Sequence, residues 1–245
     1  MIKNAALLVS LLVVGCVDAE TEIPTDEIDV LPKLATNALT PAQLAAASIG
    51  PAPLTQSALN SYAVNVNARA ALTYIVGCAL PAGNSVTATY TEGGTQMQMT
   101  YNGEIGLAPS WTTTALTTTE QQLLSGCVLA RVNLTGVAVT VSLRGPSTAL
   151  NIAGTEATAY PKQEGAFFGD IFQGPTFYLG ACKGTATATA NRRCAQPTGT
   201  LAMVTECGFS YAGLCSDVCA SGTYFSDCLG LNGTVYDSLV TVHIK

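Results

Sequence analysis

The chain has 245 residues, 48% of them hydrophobic and only 11% charged, with a formal net charge of −6. An average domain is roughly one quarter charged, so this composition disfavours long solvated helices and points to strands and turns. Six of the sixteen acidic residues (Asp18, Glu20, Glu22, Asp26, Glu27, Asp29) crowd one stretch. Setting them and Lys3 aside leaves ten acids against nine bases. The rest of the chain is therefore nearly neutral and lacks the basic face that nucleic acid requires.

The first sixteen residues have the layout of an export signal. Lys3 supplies a positive start, and residues 5–14 form an apolar run broken only by Ser10. A bilayer-spanning helix needs roughly 20 apolar residues, so this run suits a signal core and not a membrane span. It ends in Val13-Val14-Gly15-Cys16. That tetrapeptide resembles the lipobox of bacterial lipoproteins, in which small residues flank the scissile bond and the cysteine thiol accepts diacylglycerol. The resemblance implies a signal peptide over 1–15 and lipidation, including palmitate, at Cys16. Several acyl chains give stable anchoring where one alone binds only marginally. Membrane lipid is then a partner. Val17, not an acid, follows Cys16, which in such proteins implies the outer membrane where the cell has two.

Residues 16–55 read as a lipidated acidic tether, with Pro24, Pro32, Pro41, Pro51 and Pro53 and few large apolar residues. As a flexible coil it would span about 35 Å. Thr40-Pro41 has the chemistry to start a short helix inside it, with Thr as N-cap. The body is expected over residues 56–245. Leu59, Tyr62, Ala63, Val66, Ala70 and Thr73 recur at helical spacing, which predicts one helix over 56–78 ended by Pro81 and Gly83. A strand over 72–76 is the competing reading.

Alternating apolar and Thr or Gln residues over 86–91 and 96–101 then flank Gly93-Gly94. They predict a β-hairpin, because that dipeptide supplies the positive φ angles of a tight turn. Met97 and Met99 are expected in the core rather than on a cofactor. Thr117-Thr118-Thr119-Glu120 is a capping-box pattern ahead of a helix carrying Leu123, Leu124, Cys127 and Val128. Val137, Val139, Val141 and Leu143 alternate with Ala138, Thr140 and Ser142, as in a half-buried strand. Further short strands are expected over 176–181, 185–190, 199–205 and 239–244, with a dense loop over 207–228 and a sub-boundary near residue 175.

Beyond Cys16 there are eight cysteines: Cys78, Cys127, Cys182, Cys194, Cys207, Cys215, Cys219 and Cys228. An even number in an exported chain reads as four disulfides. Cys78 and Cys127 stand apart from the others, each on an expected helix, so they are paired here. Cys182–Cys194 is the next expectation, leaving the last four to pair among themselves. A metal site is the rival reading. The spacing of Cys207, Cys215, Cys219 and Cys228 lacks the short paired intervals usual for zinc, and no cofactor motif is present.

Two constellations carry candidate chemistry. Gly208-Phe209-Ser210-Tyr211-Ala212 approximates a nucleophile elbow, and Asp227 or Asp237 and then His243 follow in the order of the α/β-hydrolases. His243 is the sole histidine. This makes an envelope serine hydrolase the catalytic alternative. Glu164 and Asp170 flank Gly165-Ala166-Phe167-Phe168-Gly169, the pattern of a carbohydrate- or peptide-binding module over 164–178 or of a glycosidase carboxylate pair. The bland reading is that the phenylalanines and Trp111 are core.

The segments Tyr74-Ile-Val-Gly-Cys78-Ala-Leu-Pro, Gly106-Leu-Ala-Pro-Ser-Trp111, Cys127-Val-Leu-Ala-Arg131-Val-Asn, Val141-Ser-Leu-Arg144-Gly and Glu164-Gly-Ala-Phe-Phe-Gly169 together resemble a family of cysteine-rich bacterial lipoproteins. The likeness covers roughly residues 70–245. That family has no assigned activity, so the resemblance supplies no catalytic residues. The expectation is an α+β, antiparallel β-rich body with two disulfide-linked helices and a cysteine-rich, loop-rich C-terminal region. The function expected is that of a membrane-anchored envelope protein with a non-catalytic structural or binding role and an envelope protein or glycan partner.

Overall fold

The computed structural model describes residues 34–36, 38–40, 43–44, 48–133, 136, 138–173, 178–185 and 209–245. The expected signal peptide, Cys16, the acidic run, Phe177, Cys194, Cys207 and the strand expected over 199–205 lie outside the described residues, as does most of the one expected over 185–190.

The chain folds as the expected α+β body. Strand β1 (Leu34–Thr36) comes first, then helices α1 (Gln56–Ala63) and α2 (Val66–Ala79). The hairpin β2 (Ser85–Glu92) and β3 (Thr95–Asn102) leads to α3 (Thr118–Leu129). Then come β4 (Thr140–Arg144), the short α4 (Glu156–Ala159), β5 (Lys162–Gly169) and β6 (Leu179–Lys183). The last part holds β7 (Ser210–Leu214), α5 (Cys215–Val218), β8 (Cys228–Leu229), β9 (Val235–Tyr236) and β10 (Val240–Ile244).

Six strands form the main sheet in the order β1-β4-β10-β5-β6-β7. Its pairs are antiparallel except β6–β7. The last strand of the chain thus lies between β4 and β5, and no boundary near residue 175 divides the sheet. One face carries Val141, Leu143, Phe167, Val240, Val242 and Ile244 into the main core with the helices. The packing there is close: a Cβ on Gly126 of α3 would sit 2.7 Å from the Phe167 carbonyl oxygen. The opposite face is covered by the 147–160 segment and the cysteine-rich C-terminal part.

Several elements differ from expectation, each for a local reason. The helix expected over 56–78 is two helices. Asn65 interrupts it, in extended conformation, and its Oδ1 accepts from the amides of Asn67 (2.8 Å) and Ala68 (3.3 Å) as the N-cap of α2. The strand alternative over 72–76 is not adopted. Leu80 leaves the helix in extended conformation, as the residue before Pro81 prefers.

The tether expected over 16–55 does not extend to residue 55. Residues 34–36 pair with β4, and Leu39, Leu44, Ile49 and Leu54 are buried in the main core. The segment is pinned by Trp111, whose indole donates to the Ala52 carbonyl at 2.9 Å and whose carbonyl accepts from Leu54. Four widely spaced apolar residues do not read as an element, yet each fills a gap in a core built by others. Thr40 does cap as expected: its hydroxyl accepts from the Gln43 amide at 3.4 Å, and its own amide donates to Gln43 Oε1 at 2.9 Å.

The hairpin forms as expected, with Glu92 opposite Thr95 and Gly93 and Gly94 at φ 58° and 82°. Met99 packs on the core, but Met97 is 40% exposed. It sits opposite Tyr90, near the tip of a ribbon that runs past the helices. Arg69 covers Tyr90 instead, 4.3 Å above its ring, and pairs with Glu92. Strand β4 is buried on both faces from Val141 to Arg144, not half-buried. The C-terminal strand is likewise buried throughout.

Candidate functional site

The expected catalytic group is not assembled. Ser210 begins β7 at one edge of the sheet, in strand conformation and not on a strand-to-helix elbow. His243 lies on β10, three strands away, a lateral separation of about 14 Å. Ser210 aligns through Gly180 with Phe168, whereas His243 pairs with Gln163. Those positions differ by five residues along β5, roughly 16 Å more. Asp237 is exposed in a turn, where its Oδ1 accepts from the Ser238 hydroxyl, and Asp227 is exposed beside Ser226. Among the described residues no hydrogen bond joins these side chains to one another.

The described residues of the segment 164–178 do not form an aromatic binding groove. Phe167, Phe168 and Phe172 are buried, Phe167 and Phe172 in the main core and Phe168 in the smaller cluster on the other face. Tyr178 is stacked on Tyr236, with ring centroids 5.7 Å apart. Glu164 and Asp170 are both buried and six residues apart along and just past one strand. That is roughly 20 Å, far beyond either glycosidase carboxylate spacing. Burial raises the Asp170 carboxyl above its usual range, partly offset by the Phe172 amide that donates to Oδ1 at 2.8 Å. Trp111 is a core residue, edge-on to Phe172.

What the fold does bring together is a buried polar cluster around His243 that sequence reasoning missed. Ser142 and Arg144 of β4 and Thr241 and His243 of β10 share the face away from the main core. The 147–160 segment closes over them. The Ser142 hydroxyl donates to Glu156 Oε1 at 2.6 Å. Arg144 donates from Nη2 to the Tyr160 carbonyl at 2.8 Å and from Nε to Ser142 Oγ at 3.3 Å. Beside this point β5 carries one extra residue, Glu164, since Val242 faces Gly165 while His243 faces Gln163. Such bulges bend a strand and re-aim its side chains.

His243 is 5% exposed, and among the described residues neither ring nitrogen has a partner in hydrogen-bonding geometry. Burial, then the neighbouring Arg144 charge, pushes its imidazole down to about 4, with the nearby Tyr160 backbone opposing. At neutral pH it is therefore an uncharged ring in a closed site. Such a group is too weak a base to take a proton from a serine, and its side chain is buried. The cluster ties the 147–160 segment to the sheet. Its sequence signal was the alternation of β4, but alternation cannot tell a polar face in water from one covered by partners.

A second buried charge fastens the helices. Arg131, 1% exposed, pairs with Glu104 at 2.6 Å and lies 5.7 Å from the Tyr74 ring. A Cβ on Gly77 would meet its Nη1 at 3.0 Å, so glycine is what lets the guanidinium lie against α2. Burial pulls Arg131 below its usual range, and Glu104 opposes that.

The cysteines form three links among the described residues. Cys78–Cys127 joins α2 to α3 as expected. Cys182 pairs with Cys215 and not with Cys194, and Cys219 pairs with Cys228. The last four cysteines are therefore not a closed set. Strand β6 runs beside β7, and α5 starts where β7 ends, so Cys215 arrives next to Cys182 by sheet pairing rather than by sequence proximity. The sulfurs of Cys182, Cys215 and Cys219 all lie within 4.8 Å of one another.

No helix among the described residues is long and apolar enough to cross a membrane. No family model matches the chain, and no curated protein or solved structure matches it.

Proposed function

We propose that this chain is a cell-envelope lipoprotein, exported by its 1–15 signal peptide and held at the membrane, the outer one where there are two, by acyl chains on Cys16. Its role is structural or binding rather than catalytic, with an envelope protein or glycan as partner. The observation that carries the reading is the disulfide set. Three links close within one body, which suits the oxidising conditions an exported protein meets and agrees with the Val13-Val14-Gly15-Cys16 pattern. The docking of residues 34–36 and of Leu39, Leu44, Ile49 and Leu54 sharpens the geometry. Only 18 residue steps separate Cys16 from Leu34, at most about 65 Å of extended chain, so the β1 edge of the sheet stays within that reach of the lipid.

Labelling of cells with radioactive palmitate tests the anchor. The wild-type chain takes up label and sediments with membranes. The Cys16→Ser variant takes up none and remains unprocessed or is released. Label retained in Cys16→Ser overturns the proposal.

A further inference from the structure

We propose that the Cys182–Cys215 and Cys219–Cys228 disulfides form a thiol–disulfide exchange site whose substrate is an external dithiol. Cys219 is the entry sulfur and Cys182 is the buried acceptor. The two disulfides are in contact: Cys182 Sγ and Cys219 Sγ, which belong to different links, lie 3.5 Å apart. Cys215 and Cys219 sit one turn apart on and just after α5, where the Cys219 amide donates to the Cys215 carbonyl at 2.9 Å. Cys182, Cys215 and Cys228 are buried, whereas Cys219 is partly exposed. A reductant therefore has one sulfur to attack, and that sulfur already touches the second link.

The chemistry balances as a two-electron relay. One thiolate of the dithiol attacks Cys219 Sγ, breaking the bond to Cys228, which takes up a proton. The second thiol of the dithiol attacks its own partner sulfur in the mixed disulfide, leaves as an intramolecular disulfide, and releases Cys219 as a thiolate. That thiolate attacks Cys182 Sγ. The Cys182–Cys219 bond forms, the Cys182–Cys215 bond breaks, and Cys215 takes the proton. The external dithiol is oxidised, and the site ends with one disulfide and two thiols, now at Cys215 and Cys228. Attack by a thiolate on a neighbouring disulfide sulfur is the general route of exchange. Cys215 is a buried leaving group, and burial raises a thiol's pKa, so the step belongs to the minutes-to-hours range of uncatalysed rearrangement.

The test is peptide mapping of the full chain after acid quench and thiol alkylation. In Cys228→Ser, Cys219 has no partner and the relay runs spontaneously. The expected result is two linkages, Cys182–Cys215 and Cys182–Cys219, with alkyl label shared between Cys219 and Cys215 within about tenfold, since exchange conserves one disulfide and one thiol. A single Cys182–Cys215 linkage with all label on Cys219 overturns the proposal. A second measurement avoids any folding defect of the variant. Wild-type chain is held for hours with substoichiometric dithiothreitol and then quenched. Label on Cys215 and Cys228 together with a Cys182–Cys219 peptide supports the relay. Label confined to Cys219 and Cys228 overturns it.

Discussion

On the helical face of the sheet the buried cluster extends from Leu39 through Ile75, Trp111, Leu124 and Phe167 to Ile244, and a single disulfide, Cys78–Cys127, crosses it. On the opposite face the apolar cluster has eight buried members among the described residues, and three of them are cysteines: Cys182, Cys215 and Cys228. The two faces share a sheet, so the difference lies in what covers them. Helices bring a stripe of large side chains. The covering part around 215–239 holds two two-residue strands and a single one-turn helix, which bury little apolar surface and need covalent links to stay ordered.

The first way to break this comparison has the largest expected effect. In the chain-entropy model the 33- and 9-residue separations of Cys182–Cys215 and Cys219–Cys228 are worth about 3.7 and 2.6 kcal/mol. Replacing all four cysteines by serine removes both. Hydrogen exchange read by mass spectrometry is expected to show lost protection over 215–236 while 56–132 stays protected. Simultaneous loss over both segments would mean that the helical side also depends on those links.

Trp111→Ala attacks the other side by removing apolar volume. Loss of a large buried aromatic costs 3–5 kcal/mol, and this one also leaves the Ala52 carbonyl without its indole donor. About 4 kcal/mol is expected by denaturant titration, with early proteolytic release of the 34–55 segment. A change below about 1 kcal/mol, the size of a surface substitution, would show that the segment is held by β1 pairing alone.

The polar cluster between 147–160 and the sheet gives a third, smaller effect with a definite sign. His243 is pushed down to about 4 in the folded chain, against roughly 6.5 unfolded. The unfolded chain therefore binds the proton first as pH falls. The contribution is intact above about pH 6.5 and is lost progressively between there and pH 4, by about 3 kcal/mol in all. The charge that acts on the ring is that of Arg144, from β4, and Glu156, from α4, acts in turn on Arg144. Urea titrations at pH 7, 5.5 and 4.5 are expected to fall more steeply for wild type than for His243→Gln. Equal slopes would remove His243 from the acid response.

How far the sequence could be read follows from how far apart the partners lie. The hairpin was legible because Gly93-Gly94 and its flanking alternation sit within 16 residues. Cys78–Cys127 was legible because the other cysteines are distant. Cys182–Cys215 was not, because its pairing depends on β6 lying beside β7, which no spacing reports. Nor was the Ser142–Glu156 bond, which needs the 147–160 segment to fold back over β4. The Asn65 cap was present in the sequence and was masked by apolar periodicity continuing through it.

The smallest effect tests the most local feature, and for that reason it is the cleanest. Thr117 caps α3 with its hydroxyl accepting from the Glu120 amide at 3.3 Å, while Glu120 Oε2 accepts from the Thr117 amide at 2.8 Å. Both partners are exposed or half-buried, so truncation creates no core cavity. Thr117→Ala removes one arm of the box and is expected to cost about 1 kcal/mol. Thr117→Ser keeps the oxygen and should restore nearly all of it, which separates the cap from β-branching. The helix it starts carries Leu123, Leu124 and Cys127 into the main core, and those contacts do not pass through the cap. A loss of 3 kcal/mol or more would therefore mean that the cap and the core act as one unit, and that the helical face is less independent of local ends than its large apolar cluster implies.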